Sequence, residues 1–160
     1  MDTAVLAPTD EFSSAISDER LIRLYEYWLK CRGNRRFPSR RDIDPLDFRY
    51  VLGRVMLVDV LHDPQRFRVR LHGTEMVQQA RYELTGKFLD ELPVAEYRDY
   101  VIEQCKGLVS RGEPLVVQHN RILDGRLRQY EALWLPFSDD GHTVNTLLCA
   151  LIYERDRGGK

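Results

Sequence analysis

An α+β domain is the fold class this sequence predicts: a five-stranded antiparallel sheet with helices on one face and one helix ahead of it. Three observations carry the expectation. Two strand-like runs lie early in the chain, a helical block fills the middle, and three strand-like runs close it. The links between neighbouring strand-like runs are short and rich in turn residues, as antiparallel neighbours require and parallel neighbours cannot use.

The first clear element is a helix. Ser17 is placed to cap it, Asp18 and Glu19 suit its positive end, and Leu21, Leu24, Tyr25, Trp28 and Leu29 recur at helical spacing until Gly33. Pro38 and Pro45 then bracket an extended stretch. Asp44 is placed to cap a short helix that starts at Pro45, and Asp42 to pair with a neighbouring arginine. Next comes "RVMLVDVLH", a β-branched apolar run. It is followed by "RFRVRLH", which alternates Phe67, Val69 and Leu71 with Arg66, Arg68 and Arg70. The intervening "HDPQ" is turn chemistry, so the two runs form a hairpin. Short helical pieces punctuated by Gly73 and Gly86 follow. From Pro93 a longer helix carries Val94, Tyr97, Val101, Cys105, Leu108 and Val109 on one stripe and stops before Gly112. The remaining strands are joined at "DGR" and "SDDGH". Strands are thus expected at residues 55–61, 66–72, 114–122, 128–137 and 144–153, with the helix near 93–110 across the sheet.

Composition bounds the rest. A chain of 160 residues, 43% hydrophobic and 31% charged, has room for one cored domain and none for a second. Residues 1–16 read as a flexible N-terminal arm, 17–154 as the domain and 155–160 as a tail. No apolar run reaches the ~20 residues of a membrane span, and the first residues lack the pattern of a secretory signal. A cytoplasmic protein without membrane contact is expected. The cysteines Cys31, Cys105 and Cys149 are odd in number and form no CxxC pair, so reduced thiols are expected rather than disulfides or a zinc ribbon. The formal net charge of −1 argues against general attraction to nucleic acid, although residues 30–41 hold six basic residues and no acid.

The element order, together with particular strings, resembles the PAS domain family. "YEYWLKCRGNRRFPSRRDIDP", a strand ending "RLHGTEM", and "ELTGKFLDEL" resemble a bacterial branch made of short, often single-domain PAS proteins, over roughly residues 17–154. Trp28, Pro38, Ser39, Arg40, Asp44 and Pro45 carry the tryptophan helix and the PSR…DIDP segment of that branch. The resemblance implies a sensor and interaction fold with a small pocket between sheet and helices. It does not imply a particular ligand.

The chain offers little catalytic chemistry. His62 and His142 fall in turn signals, and His72 and His119 near a strand end and in a strand, where a structural histidine is the ordinary reading rather than a haem ligand. Cys105 sits in "EQCKG", unlike the asparagine-cysteine-arginine-phenylalanine setting of flavin-adduct domains. There is no HExxH, calcium loop or GxSxG. No enzyme, metal or cofactor is expected. The pocket candidates are Met76, Tyr97, Val101, Cys105, Val117 and Trp134. "RGNRRFPSRR" has the arginine spacing of PilZ-type cyclic-dinucleotide binders but no downstream DxSxxG, so Arg35, Arg36, Arg40 and Arg41 are candidates for an anion or partner patch, against a connector stapled by arginine–aspartate contacts. Leu21, Leu24, Tyr25 and Trp28 are interface candidates for a homodimer, against packing on the chain's own core. No kinase, cyclase or DNA-binding segment is seen, so a signal is expected to leave through an unidentified signalling protein or a change in self-association. A small-molecule or cofactor sensor is the alternative, with a cyclic-dinucleotide or nucleic-acid binder behind it.

Overall fold

A computed structural model describes residues 3–6 and 10–157. The five expected strands are present as β2 (Val55–Leu61), β3 (Arg66–His72), β4 (Leu115–Leu123), β5 (Arg126–Phe137) and β6 (Thr146–Tyr153). A further short strand, β1 (Thr3–Leu6), pairs with Leu115–Gln118 of β4. The sheet order is β1-β4-β5-β6-β2-β3, and every pairing is antiparallel. The helices are α1 (Asp10–Ala15), α2 (Glu19–Arg32), α3 (Thr74–Ala80) and α4 (Ala95–Arg111).

The segment expected to be an arm therefore contributes a strand and a helix. Phe12 and Ile16 are buried beside Leu21, Leu24, Tyr25 and Trp28. These side chains cover the sheet face made by Val116, Leu133, Leu135, Leu148 and Ile152. The opposite face, with Val58, Val117, Trp134 and Leu147, packs against Val101, Cys105 and Leu108 of α4. The expected helices thus lie on one face and the N-terminal helix α2, with α1, covers the other; burial of both faces accounts for the nearly unbroken apolar runs of β5 and β6.

Local chemistry sets the boundaries. Asp18, not Ser17, caps α2, its carboxylate accepting from the Arg20 N–H at 2.8 Å. Asp44 caps the short 3-10 turn Pro45–Phe48, with Pro45 at its first position. The β4–β5 loop is the pair Asp124 and Gly125, both at positive φ (55° and 72°), a primed hairpin turn whose twist matches that of the strands. At Gly73 the backbone runs so close to Gly53 that an added Cβ would lie 2.4 Å from the Gly53 carbonyl oxygen. This close approach explains the glycine in "RLHGTEM".

One irregularity reorganises β3. Leu57 pairs with Leu71 and Val58 with Val69, so Arg70 is an extra residue, a β-bulge. The alternation read from the sequence holds through Val69 and then reverses. Leu71 packs with the α2-side core, and His72 turns to the α4 side.

Candidate functional site

Between the sheet and the α3–α4 side lies a cavity of about 210 Å³. Its floor is sheet: Met56, Val117, Ala132, Trp134, Cys149 and Leu151 all face it. Its walls come from Met76 of α3, from Leu84, Leu89 and Leu92 of the connecting segment, and from Tyr97, Tyr100 and Val101 of α4. The β4–β5 turn sets the position of Tyr97. Asp124 accepts the backbone N–H groups of Glu96 and Tyr97 at 3.1 Å each, and Glu96 accepts the Asp124 N–H at 2.8 Å. The hairpin turn thus caps α4 and fixes the wall against the floor.

Phenols furnish most of the polarity inside. The Tyr97 and Tyr130 hydroxyls share a hydrogen bond at 3.2 Å, leaving one of their two protons to donate elsewhere. Tyr130 stacks on His119 with centroids 4.5 Å apart and meets Tyr153 edge-on at 6.3 Å. Burial pushes the Tyr97, Tyr130 and Tyr82 phenols up from their ordinary range and takes Tyr153 to about 12, so all four are protonated donors at neutral pH. Burial likewise raises the Cys149 thiol, which leaves it neutral and a poor nucleophile. His72 is also held neutral. Burial lowers its pKa against the upward pull of Glu83, and its Nδ1 accepts the Leu84 N–H at 3.2 Å.

At the mouth the chemistry changes. Arg126, Arg128 and Arg155 line it with Gln79, Tyr82, Tyr153 and Glu154. Arg126 donates to the Gln79 carbonyl at 3.0 Å and Arg155 to the Gln79 side-chain oxygen. The Arg128 guanidinium lies 4.0 Å from the Tyr97 ring centre.

Of the six pocket candidates read from the sequence, Met76, Tyr97, Val101, Val117 and Trp134 line this cavity. Cys105 does not; it is fully buried in the core beneath α4. Sequence reasoning missed His72, Tyr130, Tyr153 and the three arginines. The position of Tyr130 on the same strand face as Trp134 was the one available signal.

The interface candidates are placed elsewhere. Leu21, Leu24, Tyr25 and Trp28 are each 2% exposed or less, and Trp28 Nε1 donates to the Pro136 carbonyl at 3.0 Å. The surface on which a dimer was expected is occupied by the chain's own sheet, because β5 and β6 present a second apolar face that needs cover. Of the four patch candidates, Arg35 and Arg41 line one shallow concavity together with Asp42, Asp139 and Asp140, and Arg36 and Arg40 lie outside it. Arg35 pairs with Asp42 at 2.7 Å, Arg36 donates to the Arg111 carbonyl at 3.1 Å, Arg40 is half-buried and Arg41 exposed. Asp42 also accepts the Ser39 N–H, and Ser39 Oγ donates to Asp139 at 2.6 Å, so much of the segment's polarity pins it to itself and to the β5–β6 loop. Among the described residues, no three His, Cys, Asp or Glu side chains are grouped to hold a metal, and no helix is long and apolar enough to cross a membrane.

Comparison with known proteins agrees with this architecture. The PAS domain family model matches residues 16–152, and the chain belongs to that family. PAS domains are sensory and signalling domains. Among solved structures, an RNA-binding light-oxygen-voltage receptor is similar at 10% identity and a TM-score of 0.49, over 96% of this chain and 38% of that one. A single-residue variant of RsLOV is similar at 16% identity and 0.47, over 70% and 68% of the two chains. A fungal LOV domain photoreceptor is similar at 11% and 0.42, over 72% and 94%. This chain thus spans well under half the length of the first of these. No curated protein sequence matches it.

Proposed function

We propose that this PAS domain is a noncatalytic, cytoplasmic signalling module of the bacterial type. It acts through a protein partner or through self-association, and a small molecule in the cavity alters that contact. The cavity carries the reading: about 210 Å³, set between the sheet and the α3–α4 side, apolar in its depths and lined by protonated phenols. Such a space binds by shape and hydrogen bonding. Its thiol and its histidine are held in neutral forms, which supports recognition over turnover.

The reading is tested by denaturing mass spectrometry of protein purified from its native host, paired with affinity capture of partners from the same cells. A reproducible small molecule at near-stoichiometric amount, whose removal changes the captured set, is the expected result. Colourless protein is expected as well. A stoichiometric visible chromophore would replace this reading with a cofactor sensor, and a turnover product formed from the bound molecule would replace it with an enzyme.

A further inference from the structure

We propose that the cavity takes a small hydrophobic carboxylic acid, with its apolar body among the core side chains and its carboxylate at Arg126, Arg128 and Arg155. This rests on the cavity's being a ligand site and adds the chemical class of the ligand.

The first observation is charge. Three guanidinium groups line the mouth, and Glu154 is the one carboxylate among the lining residues. Arg157 pairs with Glu154 at 3.2 Å, so that carboxylate is already engaged. Among the described residues, neither Arg126, Arg128 nor Arg155 has a carboxylate partner, so their charge is left to the mouth. The field of the mouth reaches inward: Arg126 and Arg128 act on the Tyr82 and Tyr153 phenols against the effect of burial.

The second observation is unspent donors. Among the described residues, the Arg128 Nε atom is buried with no hydrogen-bond partner, and the guanidinium lies over the Tyr97 ring face. A buried donor left unmade is costly, and an incoming oxyanion would satisfy it. Arg126 and Arg155 each give one hydrogen bond to Gln79 and retain donors from their five N–H groups.

The third observation is the interior. Behind the arginines lie Met76, Leu92, Val101, Val117 and Trp134, and beside them the spare proton of the Tyr97–Tyr130 pair. A body of carbon fits there, and a polyanion does not. At about 210 Å³ the space lies below the roughly 300–1,000 Å³ of sites for drug-sized ligands, so the acid is of medium-chain or single-ring size. Arginine forks bind a carboxylate through paired N–H groups, which selects an acid over its amide of the same shape.

The test is calorimetric titration of the full chain with octanoate and octanamide, and with 3-phenylpropionate and its amide. Wild type should bind the acids at least about tenfold more tightly than the amides, and the difference should shrink with added salt. The double variant Arg126→Gln with Arg155→Gln, and separately Arg128→Gln, should lose most of that preference while amide affinity stays within about threefold. Arg126 and Arg155 are exposed, so the double variant is expected to keep its circular dichroism spectrum. Equal affinity for acid and amide in wild type would overturn the proposal and leave a neutral-ligand pocket. A double variant that melts earlier yet keeps the preference would also overturn it, reducing Arg126 and Arg155 to caps on the end of α3. If no probe enters wild type and no molecule copurifies, both this inference and the ligand-pocket reading fall.

Discussion

The carboxylate of Glu131 accepts the backbone N–H of Ser17 at 2.7 Å and so ties the approach to α2 to the middle of β5. It also accepts the Asp18 N–H at 2.9 Å and a hydrogen bond from the Gln118 amide, and Arg157 stands 3.8 Å away. Glu131 is fully buried. A buried carboxylate with this many donors fixes where the covering helix begins, and its neighbours in the strand, Tyr130 and Ala132, face the cavity on the other side of the sheet. Glu131→Ala should destabilise the chain by roughly 2–5 kcal/mol, because the buried Asp18 N–H and the part-buried Ser17 N–H both lose their acceptor. Urea denaturation measures this. A loss under ~1 kcal/mol would mean that water replaces the carboxylate and that the tie is weak.

Trp28 gives the second prediction. Its ring is buried under α2 and its Nε1–H reaches the Pro136 carbonyl. Trp28→Ala should cost ~3–5 kcal/mol, as for other large aromatic truncations in cores. Leu21→Glu with Tyr25→Glu should unfold the chain at every concentration, with no separate dissociation step in analytical ultracentrifugation. A folded double variant that merely shifts from dimer to monomer would return these residues to an intersubunit interface.

How much of this the sequence disclosed depends on how many residues each signal spanned. Strands of seven to twelve residues, with Asp124 and Gly125 between two of them, announce themselves by alternation and turn chemistry. Thr3–Leu6 is only four residues long, and its pairing is set by β4, more than a hundred positions away. Phe12 and Ile16 share a face with α2 that a six-residue helix is too short to reveal. The cavity floor followed from alternation, which is why Val117 and Trp134 were legible. His72 was not, because a single extra residue, Arg70, reverses the faces. The three mouth arginines were illegible for a different reason: they come from β5 and from the turn after β6, and only the fold brings Arg126 and Arg155 to Gln79 and Arg128 to the Tyr97 ring.

His72 supplies a pH dependence. Burial lowers its pKa below the ordinary 6.5, outweighing the Glu83 carboxylate 3.5 Å from Nδ1, and the Leu84 N–H donates to that same nitrogen. The unfolded chain therefore takes up this proton at a higher pH than the folded one. Stability should fall as pH drops below about 6.5 and level off, for this group, once the folded His72 itself is protonated. His72→Gln keeps an acceptor for Leu84 and cannot titrate. Thermal melts from pH 7.5 to 5 should show a shallower decline for the variant, and parallel declines would exclude His72 as their source.

Ala132 tests whether the cavity is usable volume. It sits on β5 between Val117 and Leu151, almost fully buried, with its methyl group toward the open space. Leucine at this position adds three carbons. In a close-packed core such an insertion forces neighbours off their rotamers and costs ~1–3 kcal/mol. In a cavity of about 210 Å³ the added carbons replace void by contacts, so Ala132→Leu should retain or raise the stability of the ligand-free chain. The same substitution occupies the room a ligand's body needs. Octanamide binding, which does not depend on the arginines, should weaken by about tenfold or more. Stability and binding must move in these opposed directions together. A destabilised variant with unchanged octanamide affinity would show that the ligand lies elsewhere and that the floor beneath Tyr130 and Trp134 is ordinary core.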